Sequence, residues 1–278
     1  MYLAHFGLTE RPFGITPDTS FAYSAAAHQE AFNTLMVGLG SGEGFIKITG
    51  EVGTGKTLLC RRFLASLGDE CFTVYLPNPS LAPLPLLLAV AEELGLKLDA
   101  SESQFQLIKH INKRLLELSR ECKTVVCCVD EAQAAPLESL EALRLLSNLE
   151  TEKHKLIHIV LFGQPELDRN LADPSVRQLQ QRIAFHYHLP GLRHEEFMHY
   201  LNHRLKVAGH HGVPLFSRNA ARRLFKYSKG IPRLVNILAN KALLSAFGEG
   251  KAIVEGRHVI AAARDTAGVK LGLFTLFG

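Results

Sequence analysis

Five short apolar runs occur in the first 190 residues, and helical patterns fill the intervals between them. The runs are FIKIT at 45–49, FTVYL at 72–76, TVVCCVD at 124–130, LIHIVLFG at 156–163 and AFHYHL at 184–189. Several are apolar almost throughout instead of alternating, as expected of strands covered on both faces. The pattern therefore predicts an α/β fold built on a five-stranded parallel sheet.

Helical segments between the runs carry start and stop signals. Ser101 and Gln104 have the spacing of a capping box and predict the start of an amphipathic helix. Its apolar positions recur every three or four residues, at Phe105, Ile108, Ile111, Leu115 and Leu118. Pro85 predicts the start of another helix, LLLAVAEEL, which ends at Gly95.

The pattern changes after residue 189, where LPGLRHEEF interrupts the alternation. The rest reads as four helical segments without a strand: HEEFMHYLNHRLKVAG, SRNAARRLFKYSKG, PRLVNILANKALLSAFG and GRHVIAAARDTAG. We therefore expect an α/β domain over 1–189 and an all-helical domain over 190–267. The last residues, 268–278, form an apolar tail that could dock on the helices or touch a membrane surface.

The segment GEVGTGKT at 50–57 lies between the first apolar run and a helical pattern, and it has the spacing G-x-x-x-x-G-K-[ST] of a phosphate loop. Gly50, Gly53 and Gly55 would let backbone N–H groups wrap a phosphate closely. Lys56 would reach the β- and γ-phosphates of ATP, and Thr57 would place a hydroxyl on Mg²⁺. The predicted nucleotide-binding residues are Gly50, Glu51, Val52, Gly53, Thr54, Gly55, Lys56, Thr57 and Leu58.

A second signature ends the third apolar run, VVCCVDEA. Asp130 and Glu131 would stand at the carboxyl edge of a strand, where open α/β sheets bind ligands. Asp130 is predicted to hold Mg²⁺ through water, and Glu131 to polarise the water that attacks the γ-phosphate. The alternative is that these acids only cap the following helix. Together with the phosphate loop, they predict an Mg²⁺-dependent ATPase.

Bulk composition agrees with an ordinary soluble protein. The 278 residues are 47% hydrophobic and 21% charged. The N-terminus lacks the features of a signal peptide, and no stretch reaches the roughly 18 to 20 apolar residues of a membrane span, so a cytoplasmic location is expected. The five cysteines show no C-x-x-C spacing and are expected to be reduced core residues.

Charge is distributed unevenly, although the net charge is only +4. Residues 1–189 carry 17 Lys and Arg against 22 Asp and Glu, whereas residues 190–267 carry 13 against 5. Such asymmetry suits an acidic partner, anionic lipid, nucleic acid or the acidic face of another copy. The chain shows no appended winged-helix or zinc module, so the sequence favours a head-to-tail contact between copies over nucleic acid.

Several motifs occur in a fixed order: the phosphate loop, the D-E strand end, GQPEL at 163–167, QQRI at 180–183 and GIPRLVN at 230–236. In this order they resemble those of AAA+ ATPases, and more narrowly the ExeA/GspA-type secretion ATPases. The resemblance extends to about residue 267. It implies a P-loop NTPase (AAA+) core with a C-terminal helical lid and self-association into a ring or head-to-tail oligomer.

The resemblance also implies roles for further residues. Gln164 matches the sensor-1 position, which orients the attacking water or contacts the γ-phosphate. Arg182 matches an arginine finger that reaches a neighbouring subunit's nucleotide, with Arg177 as the competing choice. Arg233, beside a helix-starting proline, matches the sensor-2 arginine of the lid. The family further suggests the N-terminal segment, with Phe6, Pro12 and Phe13, for adenine recognition.

The function implied is ATP hydrolysis that supports assembly of a type II secretion apparatus or a type IV pilus of the mannose-sensitive haemagglutinin type. Its partners would be assembly proteins at the inner membrane, where the chain could bind peripherally. Two alternatives remain open. One is a DNA-associated ATPase of the transposition or replication type, and the other is a nucleotide-dependent binding switch with little turnover.

Overall fold

The computed structural model describes residues 2–16, 19–21, 23–99, 101–150 and 154–269. These residues form the strands β1 (Phe45–Thr49), β2 (Cys71–Leu76), β3 (Thr124–Val129), β4 (Ile157–Gly163) and β5 (Ile183–His188). They also form the helices α1 (Tyr2–His5), α2 (Ala26–Gly40), α3 (Lys56–Ser66), α4 (Pro83–Glu93), α5 (Gln104–Arg120), α6 (Leu137–Ser147), α7 (Glu166–Leu171), α8 (Arg177–Gln180), α9 (His194–Val207), α10 (Arg218–Ser228), α11 (Pro232–Gly248) and α12 (Gly256–Arg264). Short 3₁₀ helices occur at Thr19–Phe21, Ala132–Ala134 and Pro174–Val176.

The five strands make one parallel sheet in the order β2-β3-β4-β1-β5. Every residue of the central strand β4 is buried, whereas burial alternates along the edge strand β5. This difference explains why LIHIVLFG is apolar except for His158 whereas AFHYHL carries two histidines, because only inner strands are covered on both faces. The predicted five-stranded parallel sheet is confirmed.

Strand limits differ from the apolar runs by about one residue. Strand β2 begins at Cys71, and β5 runs from Ile183 to His188. Leu189 lies just beyond β5 and donates its N–H to the Thr49 carbonyl at 2.7 Å. Hydrogen bonds between strands set these limits, and hydrophobicity follows them only approximately.

The predicted start of α5 was wrong by two residues. Ser103 is the N-cap, and it forms a capping box with Gln106. Both S-x-x-Q spacings occur in the sequence, but the Ser101 N–H donates to Asp99 Oδ1 at 2.9 Å and the Glu102 N–H to the Asp99 carbonyl at 3.1 Å, so a turn precedes Ser103. The buried positions of α5 are Leu107, Ile111, Leu115 and Leu118. Phe105, which the prediction placed on the apolar stripe, is 77% exposed.

Helix α4, in contrast, begins earlier than predicted, at Pro83 instead of Pro85. Both prolines fit the first turn of a helix, where backbone N–H groups have no partner inside the helix. The predicted end is confirmed, since α4 stops at Glu93 and Gly95 follows with φ +80°.

Packing divides the chain into two compact units. The core unit comprises residues 28–51 and 56–189 and contains the sheet. The helical unit comprises the described parts of 1–27, 52–55 and 190–278, and it contains the four helices α9 to α12 predicted after residue 190. The described residues of 1–27 are thus grouped with the helical unit, whereas the predicted limits placed them in the α/β domain.

The N-terminal segment is held in the helical unit by backbone acceptors. The buried Arg204 donates from Nε to the Pro12 carbonyl at 2.5 Å, and its guanidinium lies 4.7 Å from the centre of the Phe21 ring. Asn236 donates to the Gly14 carbonyl at 3.0 Å. Phe13 and Phe21 are buried in the hydrophobic core of the helical unit. These contacts explain why aromatic residues near the terminus are covered.

All five cysteines are free thiols. Cys60, Cys127 and Cys128 are buried, as expected, and burial raises the pKa of the Cys127 thiol to about 12. Cys71 is partly buried. Cys122 is exposed, so the expectation that every cysteine lies in the core was wrong for this residue.

Among the helices of the described residues, none combines the length and the apolar character needed to cross a bilayer. The predicted apolar tail, 268–278, falls almost wholly outside the described residues, which end at 269.

Two backbone segments approach closely where α10 ends. Lys229 and Gly230 both have positive φ, 52° and 74°, and Gly230 is buried. The Leu192 N–H donates to the Gly230 carbonyl at 2.8 Å. A Cβ on Gly230 would lie 2.3 Å from the Leu192 carbonyl oxygen. This corner fixes the approach to α11 and leaves no room for a side chain.

Gly230→Ala should lower the free energy of unfolding by about 1 to 3 kcal/mol, because it adds both a left-handed backbone strain and a backbone clash. Urea unfolding followed by circular dichroism would measure the loss. Gly248→Ala is the matched control, since its Cβ would meet no heavy atom within 4 Å and it ends a helix. Equal destabilisation by both changes would contradict the prediction.

Candidate functional site

The carboxyl ends of β1, β3 and β4 meet at one edge of the sheet. Thr49 pairs with Gly163, and Val129 pairs with Leu161. Gly50 continues the contact past β1 by donating its N–H to the Gly163 carbonyl at 3.1 Å. The residues that follow these three strands therefore start from neighbouring positions, at the edge where open α/β sheets bind ligands.

The predicted phosphate loop joins β1 to α3, which starts at Lys56. Gly53 and Gly55 have φ of +85° and +100°, a conformation that favours glycine. Gly50, in contrast, does not have a positive φ. The free N–H groups at the start of α3 are suited to an anion. Of the other predicted binding residues, Thr54 is buried, Leu58 is half-buried, and Glu51 and Val52 are exposed.

Lys56 is buried, with only 5% of its surface exposed. Its Nζ donates to the Gly50 carbonyl at 2.7 Å and to the Glu51 carbonyl at 3.1 Å. Burial lowers the pKa of the Lys56 ammonium, while the nearby charges of Glu131 and Asp130 act in the opposite direction. The loop thus holds a cation over its own backbone, at the N-terminal end of α3 where a phosphate would bind.

Thr57 and Asp130, predicted as the metal-binding pair, are in direct contact. The Thr57 hydroxyl donates to Asp130 Oδ2 at 2.7 Å, and the Tyr75 hydroxyl donates to the same oxygen at 3.4 Å. Burial and, second, the charge of Asp130 raise the pKa of Tyr75 to about 12. Mg²⁺ prefers oxygen ligands and is usually held by one or two protein oxygens with phosphates and waters. The donor set therefore fits Mg²⁺.

Glu131 and Gln164 also lie together. Gln164 follows β4 and donates from Nε2 to Glu131 Oε2 at 3.0 Å. Gln133, which the sequence analysis did not single out, donates from Nε2 to the same oxygen at 2.6 Å. Glu131 is the N-cap of the 3₁₀ helix Ala132–Ala134, but its side chain makes no capping bond, which argues against the capping alternative.

Arg182 lies at the opposite edge of the sheet. It precedes Ile183, the first residue of β5, which pairs with Phe45 at the start of β1. The Arg182 guanidinium donates to Ser147 Oγ at 3.5 Å. The hydrogen bond and charge of Lys155 lower the pKa of Glu150, and the charge of Arg182 adds to this effect. Arg177 is exposed at the start of α8. Arg182 therefore does not stand at the edge that carries the phosphate loop of the same chain.

Arg233 is the second residue of α11, directly after Pro232. In the helical unit, its backbone N–H donates to the Gly53 carbonyl at 3.2 Å. A Cβ on Gly53 would lie 2.4 Å from Arg233 Cβ, so this contact requires glycine in the loop. The structure thus brings the predicted sensor-2 arginine to residue 53 of the predicted phosphate loop.

Comparison with known proteins agrees with the geometry. Residues 39–171 match the model of the family described as AAA domain. The chain is 42% identical over 270 residues to general secretion pathway protein A of Aeromonas hydrophila. The match covers 97% of this chain and 49% of that protein, so the chain spans about half the length of the curated relative it matches.

Solved structures of similar fold include the ORC2 protein of Aeropyrum pernix, in ADPNP–ADP complexes, with a TM-score of 0.63 and 17% identity. That match covers 92% of this chain and 73% of the other. Cdc6p from Pyrobaculum aerophilum has a TM-score of 0.65 and 16% identity, over 90% and 71% of the two chains. At these identities the likeness concerns the fold alone.

Thr57→Val should weaken binding of a magnesium nucleotide by about tenfold or more, because it removes the hydroxyl that fits the metal and that donates to Asp130. Thr57→Ser keeps the hydroxyl and should bind nearly normally. Titration of a fluorescent ATP analogue with Mg²⁺ and again with EDTA would measure both effects. Equal affinities of the two variants in the presence of Mg²⁺ would contradict the assignment.

Proposed function

The chain has the fold of an AAA P-loop NTPase, and from this premise we propose that it is an ATPase of the ExeA/GspA secretion type. It hydrolyses ATP to ADP and phosphate and uses the cycle to support assembly of a secretion or pilus apparatus. The 42% identity to general secretion pathway protein A supports the secretion role. The narrower form of the proposal is an ATPase for a type IV pilus of the mannose-sensitive haemagglutinin type.

One observation carries the proposal: Thr57 donates to Asp130 at 2.7 Å, across 73 positions of the chain. This contact joins the phosphate loop to the acidic strand end. Two further residues complete the proposed ATP site. They are Lys56, which donates to two loop carbonyls, and Glu131, whose N–H donates to Asp130. A glycine-rich turn that only connects a strand to a helix would not require a buried lysine beside two carboxylates.

In the proposed reaction, the oxygen of a water molecule attacks the γ-phosphorus and the bond to the β–γ bridging oxygen breaks. Glu131 polarises that water and receives its proton, and Gln164 orients it. Lys56 and the loop N–H groups bind the β- and γ-phosphates. Thr57 and Asp130 would hold Mg²⁺, which supplies neutralisation of the developing phosphate charge. Arg233 is proposed to sense the γ-phosphate from α11.

Assembly is part of the proposal. Arg182 would supply positive charge to the nucleotide of a neighbouring copy, because it stands at the sheet edge opposite its own phosphate loop. The split between an acidic first part and a basic second part of the sequence supports head-to-tail contacts between copies. Copies would act on assembly proteins at the inner membrane, with the chain bound there peripherally.

Replacing Glu131 tests the proposed reaction. Glu131→Gln should keep ATP binding and reduce phosphate release by about 10²- to 10⁴-fold, because the amide cannot accept the proton of the water. Phosphate release and binding of a fluorescent ATP analogue would be measured side by side. Glu138→Gln, at an exposed position of α6, is the matched control and should leave turnover unchanged. Unchanged turnover in Glu131→Gln would refute the assigned base.

Glu131→Gln also tests which class of protein the chain acts on, since a variant that binds ATP without hydrolysing it should retain its bound partners. Capture from cells of secretion or pilus components would support the proposal. Capture of DNA-associated proteins, with DNA-stimulated and steeply salt-dependent activity, would instead support a DNA-linked ATPase. Normal nucleotide binding without phosphate release in the unmodified chain, even with partners present, would indicate a binding switch.

Arg182→Ala tests the contribution in trans. ATPase activity per molecule should rise with protein concentration in the unmodified chain, and the variant should lose about 10³- to 10⁵-fold of the assembled rate. Arg177→Ala is measured beside it as the competing assignment. Arg120→Ala, exposed at the end of α5, serves as the control for loss of a surface charge. Activity that does not depend on concentration would exclude an arginine finger in trans.

A further inference from the structure

The backbone turns sharply directly after Asp130, the proposed metal ligand. Glu131 has φ of 52°, a left-handed conformation that is uncommon for a residue with a side chain. Its own N–H donates to Asp130 Oδ1 at 3.0 Å, and its carbonyl accepts the Ala134 N–H at 2.8 Å. The chain therefore enters the 3₁₀ helix Ala132–Ala134 at once, and this turn brings the side chain of Gln133 back against Glu131.

Two side-chain amides bind the same oxygen of Glu131. Gln133 Nε2 donates to Oε2 at 2.6 Å, and Gln164 Nε2 donates to Oε2 at 3.0 Å. Among the described residues, no hydrogen bond reaches the other oxygen, Oε1. The carboxylate is thus held by one oxygen, and the second oxygen remains for the water that the proposed reaction polarises.

Gln133 also binds the end of β4. Its Oε1 accepts the backbone N–H of Gln164 at 2.9 Å. The two bonds fix which way the amide points: exchanging its oxygen and nitrogen would face Oε1 with the Glu131 carboxylate and Nε2 with the Gln164 N–H. Gln133 is therefore a bridge of defined polarity between the proposed base and the residue after β4.

Neighbouring residues hold this bridge in place. Asn170 on α7 donates from Nδ2 to the Gln133 carbonyl at 3.1 Å. Gly163, the last residue of β4, leaves the space, since a Cβ there would lie 3.3 Å from Gln133 Oε1 and 2.7 Å from Leu167 Cδ2. The side chain of Gln133 is thus anchored from its backbone, from its amide oxygen and from its amide nitrogen.

We propose that Gln133 is a positioning residue for hydrolysis, which aims the Glu131 carboxylate and ties it to Gln164. The inference rests on the proposed role of Glu131 as the base. Gln164 can turn toward a phosphate only by giving up its bond to Oε2. Gln133 then still holds both the carboxylate and the Gln164 backbone, so the base keeps its direction while the sensor residue responds to the nucleotide.

A purely structural role is the competing explanation, in which Gln133 only accepts the Gln164 N–H and closes the turn. Gln133→Glu separates the two. The new carboxylate keeps an acceptor for the Gln164 N–H but puts a negative charge where the amide donated to Glu131. A structural acceptor would be preserved by this change, whereas a positioning donor would be lost.

Steady-state kinetics give the first readout. Gln133→Glu should lower kcat by about 10- to 100-fold, as small displacements of catalytic groups do, with little change in KM or in the affinity for a fluorescent ATP analogue. Gln178→Glu, the same substitution at an exposed position of α8, should change neither value. Unchanged kcat in Gln133→Glu would overturn the proposal.

A double-mutant cycle on thermal unfolding gives the second readout, which does not require activity. Gln133→Glu should lower the melting temperature, because two carboxylates would meet at the distance now spanned by a 2.6 Å hydrogen bond. Glu131→Gln/Gln133→Glu reverses the pair and restores an amide facing a carboxylate. It should recover at least half of the loss seen in Gln133→Glu. Additive effects of the two changes would show that the side chains do not interact and would overturn the proposal.

The two readouts distinguish a failure of this inference from a failure of the proposed function. If the unmodified chain does not hydrolyse ATP while the reversed pair recovers stability, the base assignment fails and the contact stands without a catalytic role. If Gln133→Glu does not fold, Gln133→Leu removes both amide bonds without adding charge. Gln133→Leu should lower kcat with normal nucleotide affinity, but it should not lower the residual rate of Glu131→Gln further, because Gln133 acts through Glu131. Normal kcat, or an equal further loss in the Glu131→Gln background, would overturn the proposal.

Discussion

Parallel pairing of β1 with β4, and of β4 with β3, is the constraint on which the candidate site depends. It sets the ends of three strands side by side, although they are separated by up to 114 positions between Thr49 and Gly163. Because side chains alternate between the faces of a strand, a slip of one residue would reverse every side chain of the moved strand. The sheet register thus fixes Asp130 beside the loop before any ligand contributes.

The cost of this arrangement is two buried charges, and local donors and acceptors offset it. Lys56 is 5% exposed and Asp130 is 2% exposed. Isolated charges in such places are strongly unfavourable. Here two loop carbonyls accept from the ammonium, and the carboxylate accepts from the hydroxyls of Thr57 and Tyr75. A site whose polar groups are already oriented needs little reorganisation when charge develops in a reaction.

Sequence predicted the sheet and most of the site, because both depend on short-range patterns. Buried strands read as apolar runs, and a phosphate loop has a fixed spacing of glycine, lysine and threonine. The features that the sequence analysis missed depend on contacts that no sequence pattern shows. Ser101 and Ser103 offer equivalent capping signals, and the turn in which Asp99 accepts the Ser101 N–H leaves Ser103 as the N-cap. Gln133 carries no periodic signal, since its contact with Glu131 follows from a single left-handed residue.

The position of Arg182 separates the groups that one chain can bring to its own phosphate loop from the positive charge that only another copy could add. Ile183 pairs with Phe45 and His188 pairs with Thr49, so the whole length of β1 separates Arg182 from the loop. Five residues at about 3.3 Å each make this about 16 Å, beyond the contact distance at which a guanidinium binds a phosphate. An arginine finger contributes about 10³- to 10⁵-fold in rate, or about 4 to 7 kcal/mol. Gln133 and Gln164 orient the proposed base within each copy. If Arg182 is the arginine finger, each site lacks this positive charge until a neighbouring copy binds, so fast turnover requires that neighbour.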